Sequence, residues 1–396
     1  MKNKKVICIA GKNNIAVEIT KYIIKNFDCE LLVIPNKNDD GIDKWQKSFL
    51  RFSKANNLKI VTLEDIYEIE ELIFLSLEFD KIIKPEKFKT NKLYNIHFSL
   101  LPKYKGMYTS ALPILNNEKE TGVTLHKIDR GIDTGEIINQ NRIFIEFDDT
   151  GRDLYLKYIE NGIKLIKDNI EDILNDKIKS QPQEASLSSY YSKKFIDYKR
   201  LEIDLNQTSI NIYNQIRAFN FREYQVPIIK GEKIIFSQIT NQKSNHNSGY
   251  IYSEDEYSIL MATIDYNIIL YKDKTEELFE ACRTGKIEDI VKICRIKKYL
   301  FVRNEKGWDP LIVATYNNKI DIVKLLISLG ADIYTKNYKG TNLLMYAKDC
   351  YLKTGNIELL KLYLDLGLDI YKKDDNDKNV LDYCSDEIKI KILTLL

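Results

Sequence analysis

Along the first 175 residues, short apolar runs alternate with longer stretches whose apolar positions recur at helical spacing. Residues 6–10 form a buried-strand run, and residues 15–27 follow as a helical stripe. Glu30–Pro35 carries the next run (Leu31, Leu32, Val33, Ile34), and residues 44–55 predict the next helix. Residues 58–61 and 72–75 are further short apolar runs. This rhythm predicts an α/β fold with a parallel sheet, whose ligands sit beyond the carboxyl ends of the strands. Thr150-Gly151-Arg152-Asp153 opens a long amphipathic helix carrying Leu154, Tyr158, Ile159, Ile163, Ile166, Ile170 and Leu174. The polar break Ser180-Gln181-Pro182-Gln183-Glu184 reads as a linker.

Beyond the linker the pattern changes twice. Residues 211–219 read as a helix, followed by strand-like stretches at 228–229, 233–239, 250–252 and 267–271, with turn signals at Lys230-Gly231 and Asn247-Ser248-Gly249. This predicts a small β-rich domain. From residue 275 the chain repeats. Gly285-Lys286-Ile287-Glu288 is echoed by Asn318-Lys319-Ile320-Asp321 and by Gly355-Asn356-Ile357-Glu358. Ile287 and Ile320 are 33 residues apart, Ile320 and Ile357 are 37, and the four extra residues fall near 349–353. Leu329-Gly330-Ala331-Asp332 recurs as Leu366-Gly367-Leu368-Asp369. A 33-residue period with Gly307-Trp308-Asp309-Pro310-Leu311 at a hairpin tip resembles ankyrin repeats and implies an all-α unit. The predicted domains are residues 1–184, 185–272 and 273–396.

Composition narrows the function classes. The chain has 396 residues, 44% hydrophobic and 30% charged, which is globular composition over more than one ordinary domain. Sixty Lys+Arg against 58 Asp+Glu leave a net charge of only +2. Residues 271–396 hold 22 basic and 20 acidic residues, so residues 1–270 balance at 38 of each. A surface that grips a long polyanion carries a larger basic excess, so nucleic acid is not the expected partner. No apolar run reaches the roughly 20 residues of a membrane span. The start Met1-Lys2-Asn3-Lys4-Lys5 imitates a signal peptide, but its apolar stretch stops at Gly11. Six scattered cysteines without a CxxC pair, and three histidines, argue for reduced thiols and against zinc. These features point to a soluble cytoplasmic protein without membrane or metal.

Two segments carry chemistry. In Leu93-Tyr94-Asn95-Ile96-His97-Phe98-Ser99-Leu100-Leu101-Pro102-Lys103-Tyr104-Lys105-Gly106, strand alternation places Asn95 and His97 on one face. An amide donor beside an imidazole suits acyl transfer: the amide meets a developing oxyanion and the imidazole takes a proton from an amine. Gly122-Val123-Thr124-Leu125-His126 then runs into the loop Asp129-Arg130-Gly131-Ile132-Asp133-Thr134-Gly135. Its Asp133 can orient His97 and favour the charged imidazole. Gly11-Lys12-Asn13-Asn14 matches no phosphate-loop pattern and reads as a strand-to-helix turn whose asparagines can line a cleft. Lys372-Lys373-Asp374-Asp375-Asn376-Asp377 reads as a solvated hairpin.

Together, Asn-x-His-x-Ser-Leu-Leu-Pro and Gly-Val-Thr-x-His before Asp-x-Gly resemble the 10-formyltetrahydrofolate-dependent formyltransferases over roughly residues 1–240. The resemblance implies a Rossmann-like formyltransferase domain and formyl transfer to an amine without a metal. Asn95 would steady the tetrahedral oxyanion, His97 act as general base and Asp133 tune it. The folate pocket would fall on Leu77, Glu78, Phe79 and the loop Asp129, Arg130, Gly131, Ile132 and Asp133. His126 reads as packing or loop support. Lys105-Gly106-Met107-Tyr108-Thr109 departs from the Arg-Gly-x-Ala-Pro of enzymes acting on methionyl-tRNA, so the acceptor wall around Tyr108 differs.

Tyr190-Tyr191-Ser192-Lys193-Lys194 and the stretch from Ile216 to Tyr224 resemble the sugar-nucleotide N-formyltransferases. That implies a dTDP-amino-dideoxyhexose acceptor, with Phe221 or Tyr224 stacking on thymine and Arg217 meeting the pyrophosphate. Phe219 and Phe221 read equally as core. The ankyrin extension resembles enzymes formylating dTDP-3-amino-3,6-dideoxy-D-glucose for surface polysaccharide (O-antigen) synthesis. The 4-amino isomer, a UDP-amino sugar, and a non-catalytic ankyrin interaction protein are the alternatives. A homodimer through residues 185–270 is also implied. The repeats could bind a protein, cap the enzyme or hold a second ligand at Trp308, which occupies a usually exposed hairpin position.

Overall fold

The protein, seen in a computed structural model, is described over residues 5–395; residues 1–4, which hold most of the basic start, and residue 396 lie outside the described residues. Two compact units follow one another, the first ending at Asp273 and the second starting at Lys274. The first opens with β1 (Val6–Gly11), α1 (Asn13–Asn26), β2 (Glu30–Pro35), α2 (Phe49–Ala55), β3 (Lys59–Ile60) and β4 (Leu72–Leu77). Then come β5 (Leu93–His97), β6 (Lys105–Gly106), α3 (Leu112–Leu115), β7 (Glu120–Lys127), β8 (Ile137–Phe144) and α4 (Gly151–Leu174).

Seven strands form a sheet in the order β3-β2-β1-β4-β5-β7-β8. The first five are parallel, as the alternation predicts. β7 runs antiparallel to both β5 and β8. A parallel return after β5 needs a crossover of a dozen or more residues, usually helical, and here the connection holds only the single turn α3. Both faces of the sheet are covered, which is why its strands read as unbroken apolar runs. Ile7 and Ile9 of β1 pack with Ile15 and Ile19 of α1 and with Ile166 and Ile170 of α4. Cys8 and Ala10 face the opposite core with Leu32, Phe74 and Leu93.

Helix α4 begins where the polar cluster predicted. Thr150 Oγ1 accepts from the Asp153 N–H, and Asp153 accepts the Thr150 N–H at 2.9 Å, a reciprocal cap that satisfies donors the helix cannot. Helix α2 is shorter than the predicted 44–55. Ser48 caps it, while Asp43 and Asp39 take the N–H groups of Ser48 and Leu50 at 2.9 Å each. Local carboxylates thus compete with helix formation over residues 44–48.

The first unit continues with β9 (Tyr190–Tyr191), α5 (Ser209–Phe219), β10 (Ile228–Ile229), β11 (Glu232–Lys243), β12 (Ile251–Glu254), β13 (Ser258–Met261) and β14 (Tyr266–Lys272). The last five form an antiparallel sheet in the order β10-β11-β14-β13-β12. The expected break near residue 184 is not a break in the packing. Ile212 and Ile216 of α5, Ile234 of β11 and Leu270 of β14 lie in the same buried cluster as the seven-stranded sheet. A sheet this small covers its apolar face by borrowing the neighbouring core.

The second unit pairs α6 (Thr275–Thr284) with α7 (Ile287–Ile293), α8 (Pro310–Tyr316) with α9 (Ile320–Leu329), and α10 (Leu343–Thr354) with α11 (Glu358–Asp365), and ends on α12 (Asp386–Leu393). The four-residue insertion is an added helical turn: α10 has 12 residues where the corresponding α8 has 7. Asp309 caps α8 by accepting the Ile312 N–H at 2.9 Å, with Pro310 at the first position, where a missing N–H costs nothing. None of the six cysteines forms a disulfide, and no helix among the described residues is long and apolar enough to cross a membrane. Thr150→Ala should cost the first unit about 1 kcal/mol by removing the α4 cap. A lowered thermal midpoint with unchanged specific activity is the expected reading by calorimetry.

Candidate active site

The two motifs meet because β5 and β7 pair in antiparallel register, Asn95 opposite His126 and His97 opposite Thr124. Residues opposite one another on such a pair share a face, so the site is built across two strands. His97 is buried, with Nε2 2.8 Å from the Tyr104 carbonyl and Nδ1 3.4 Å from Asp133 Oδ2. A carbonyl can only accept, so the network assigns the proton to Nε2 and leaves the Nδ1 lone pair facing the carboxylate. Asn95 Nδ2 lies 3.0 Å from His126 Nε2, and His126 Nδ1 donates to the Lys127 carbonyl at 2.7 Å. That second bond makes Nε2 the acceptor for one Asn95 N–H. The amide's other N–H remains for a ligand oxygen.

Asp133 sits at the turn of the loop between β7 and β8. Its backbone φ is +55°, and its Oδ2 accepts the Gly106 N–H at 2.9 Å. His126 Nε2 stands 3.7 Å from the other oxygen. The loop is organised by Asp129, which accepts from the Gly131 N–H at 3.1 Å and the Thr134 hydroxyl at 2.6 Å. Arg130, Gly131 and Ile132 are exposed around it. Gly135 is obligatory: a Cβ there would lie 1.8 Å from the Lys127 carbonyl oxygen. A cavity of about 580 Å³ borders this loop at Asp129, Gly135 and Gln183 but includes none of Asn95, His97 and Asp133.

Asp133 favours the charged form of His97, as its motif suggested, but burial outweighs it. Burial pushes the imidazole below the usual histidine range, against the upward pull of Asp133 and the Tyr104 carbonyl; His126 and Lys105 add to the downward push. Burial alone would raise Asp133, but His97, His126 and the Gly106 N–H hold it well below the usual carboxylate range. The site at neutral pH is a neutral base facing an ionised carboxylate. Proton uptake at Nδ1 converts that contact into an ion pair.

A second cluster lies in the same unit. Leu77 ends β4, and Glu78 follows in a left-handed conformation, φ +58°. The Glu78 carboxylate accepts from Tyr155 Oη at 2.8 Å and from Asn13 Nδ2 at 3.2 Å, and burial raises its pKa. Phe79 meets Phe74 edge-on at 6.4 Å. Tyr155 borders an aromatic group in which Trp45 lies 5.6 Å from Tyr155, 5.4 Å from Phe221 and 5.9 Å from Tyr224. Phe221 is buried, whereas Tyr224 is 64% exposed and offers a face for stacking. Arg152 braces the group with a two-pronged contact to Glu223 at 2.7 and 2.9 Å.

Comparisons with known proteins bear directly on this geometry. Residues 4–170 match the family described as Formyl transferase, and residues 278–374 match Ankyrin repeats (3 copies). A solved structure described as WlaRD, a sugar 3N-formyl transferase with dTDP and 5-N-formyl-THF, is 52% identical, with a TM-score of 0.64, over 68% of this chain and 98% of that one. An N-formyltransferase from Helicobacter canadensis, in complex with folinic acid and dTDP-3-aminofucose, is 50% identical with the same TM-score, over 67% and 99%. The methionyl-tRNA formyltransferase of Caldicellulosiruptor saccharolyticus is 30% identical over 74% of this chain and 98% of its own length.

The chain belongs to the formyltransferase family.

Against two other curated relatives it spans only 42% and 50% of their length. In this formyltransferase the pairing of β5 and β7 sets Asn95 beside His126, and both His126 and His97 stand beside Asp133. Arg217 is a correction. Expected at a pyrophosphate, its guanidinium is buried and donates to Asn214 Oδ1 at 2.9 Å and to the carbonyls of Glu146 and Asp149 at 3.2 and 3.0 Å. A buried cation with its donors on carbonyls staples α5 to the loop before α4. Tyr108 is half-buried and donates its hydroxyl to the Lys193 and Ile196 carbonyls at 2.6 and 3.0 Å. Trp308 is also less exposed than its hairpin position suggested: it is half-buried, 4.8 Å from Tyr316 and 5.2 Å from Tyr346.

Sequence reading missed Trp45, Tyr155, Lys105 and the direct grip of His126 on Asn95. The register of two motif strands was the available signal for His126. Lys105 and Asp133 push the His97 imidazole in opposite directions. Lys105→Met should therefore raise the His97 midpoint and Asp133→Asn lower it. With only three histidines in the chain, a histidine-labelled NMR titration reads both shifts.

Proposed function

We propose that this formyltransferase carries the formyl group of 10-formyltetrahydrofolate to the amine of a dTDP-linked amino-dideoxyhexose, with dTDP-3-amino-3,6-dideoxy-D-glucose the favoured acceptor. The observation that carries the reading is the placement of Asn95 and His97 on one face of β5, with the Asp133 carboxylate 3.4 Å from His97 Nδ1. The 52% identity with a sugar 3N-formyltransferase supports the acceptor class.

In this reading the acceptor amine attacks the formyl carbon as His97 Nδ1 takes its proton. Asp133, 3.4 Å away, stabilises the imidazolium that forms. Asn95 donates to the oxygen that becomes the oxyanion, and His126 fixes the direction of that donor. Return of the proton from His97 to the leaving nitrogen completes the exchange of one carbon–nitrogen bond for another. Leu77, Glu78, Phe79 and the loop from Asp129 to Asp133 are the proposed walls for the folate. Trp45, Phe221 and Tyr224 are the proposed thymine platform, with Tyr108 on the acceptor side. A cytoplasmic homodimer serving O-antigen synthesis fits the same reading.

Methionyl-tRNA is the second acceptor reading, favoured by the match to a methionyl-tRNA formyltransferase. The Lys105-Gly106-Met107-Tyr108 wall and the balanced charge of residues 1–270 weigh against it. In the second unit, Trp308 with Tyr316 and Tyr346 is the proposed contact for a second ligand or partner, and Lys306 lies 5.3 Å from the indole.

Purified protein with 10-formyltetrahydrofolate and a panel of dTDP-linked 3-amino and 4-amino dideoxyhexoses, a UDP-amino sugar and methionyl-tRNA tests the assignment by product mass. Formylation of the dTDP-3-amino sugar is expected. His97→Asn should abolish it, and Asn95→Ala should lower kcat about 100-fold or more. Turnover of methionyl-tRNA alone defeats the acceptor assignment. Trp308→Ala should alter dTDP-sugar titration curves or kinetics; unchanged curves and rates exclude a ligand role there.

A further inference from the structure

We propose that residues 180–196 are a positioning strap for the catalytic pair, with Gln183 and Ser189 as its positioning residues. The polar composition of residues 180–184 reads as a linker, but the hydrogen bonds of the whole segment are spent on the site.

Three non-glycine residues around His97 adopt left-handed backbone: Tyr104 (φ +58°), Tyr108 (φ +63°) and Asp133 (φ +55°). Such conformations persist only where the surroundings over-determine them. Each of the three is tied to the same segment. Gln183 Nε2 donates to the Asp133 carbonyl at 2.9 Å and to the Gly135 carbonyl at 2.7 Å. Ser189 Oγ accepts the Tyr104 N–H at 2.8 Å, and the Tyr104 carbonyl is the partner of His97 Nε2. The Tyr108 hydroxyl binds the carbonyls of Lys193 and Ile196.

Backbone pairing anchors the strap at both ends. Gln181 exchanges two hydrogen bonds with Ile137, at 2.8 and 2.9 Å. β9 lies alongside β6, with the Lys105 N–H on the Ser189 carbonyl and the Met107 N–H on the Tyr191 carbonyl, each at 2.9 Å. Gly106, whose N–H holds the Asp133 carboxylate, runs so close to the strap that a Cβ would lie 2.3 Å from the Tyr191 carbonyl oxygen. The strap therefore reaches Asp133 from two directions, through Gln183 on its carbonyl and through β6 on its carboxylate. Gln183 Oε1 is buried without a hydrogen-bond partner.

The groups facing His97 are Asp133, the Tyr104 carbonyl, His126 and Lys105. The strap grips the first two, both of which draw protons to the imidazole. Loosening it should lower the His97 midpoint. The test is a histidine-labelled NMR titration of the full-length wild type, Gln183→Leu, Ser189→Ala and the exposed-strap control Leu187→Ala, with His246 as internal reference. A His97 midpoint lower by about 0.5 pH in both positioning variants is expected, with His246 and the control unmoved. In the formyl-transfer assay, kcat should fall about 10- to 100-fold, with the acceptor KM within about three-fold.

The kinetic arm rests on the proposed formyl transfer; the titration does not. A wild type without turnover defeats that reading while the titration still decides the strap. A His97 midpoint matching the wild type in both variants overturns the proposal. If Gln183→Leu does not fold, Ser189→Ala, which removes a single hydroxyl, decides it by the same measurement.

Discussion

A buried carboxylate keeps its charge only where its surroundings favour that charge, and Asp133 is the residue on which the site converges here. Its side chain meets His97, His126 and the Gly106 N–H, so three separate stretches of chain must arrive together. β5 brings His97, β7 brings His126, and β6 brings the Gly106 amide. Burial keeps His97 neutral, and the ionised carboxylate beside it stands ready to stabilise a proton when one arrives. In the proposed reaction a base poised in this way would need no movement at the moment of proton transfer, which is the advantage of a preorganised polar site.

The antiparallel turn in the sheet makes that meeting possible. β7 is the strand that carries His126. Running antiparallel, it places His126 opposite Asn95 and delivers the chain into the Asp133 loop at the site. Packing gives the arrangement its stiffness. α1, α4, α5 and the antiparallel sheet share one buried cluster, so the β-rich region and the catalytic sheet cannot relax independently. In the ankyrin unit, side-chain caps at Asp309 and Asn342 start α8 and α10, and Gly330 ends α9.

Much of this was legible in the amino-acid order. Apolar runs at strand spacing marked β1, β2 and β4, because a strand buried on both faces must be apolar throughout. Thr150 and Asp153 marked the start of α4, because capping is local chemistry. The 33-residue period marked the repeats, and its four-residue excess became one further turn of α10. Asn95, His97 and Asp133 stood out because their motifs are compact in sequence.

The residues that escaped reading act across distance. Arg217 looked like a phosphate ligand, since an arginine near aromatics gives no local sign that carbonyls 68 and 71 residues away will take its donors. Trp45 and Tyr155 come from distant segments and join Phe221 and Tyr224 in one aromatic group only after folding. Residues 180–184 read as a linker because polar side chains look alike whether they face water or the backbone of another loop. The sequence by itself determined the elements, the repeats and the chemical identities of the base, the donor and the carboxylate, since these depend on local periodicity and short motifs. Only the tertiary structure decided that His97 is neutral, that His126 aims Asn95 and that Gln183 holds the Asp133 loop, because burial and hydrogen-bond partnership exist only once distant segments have packed together.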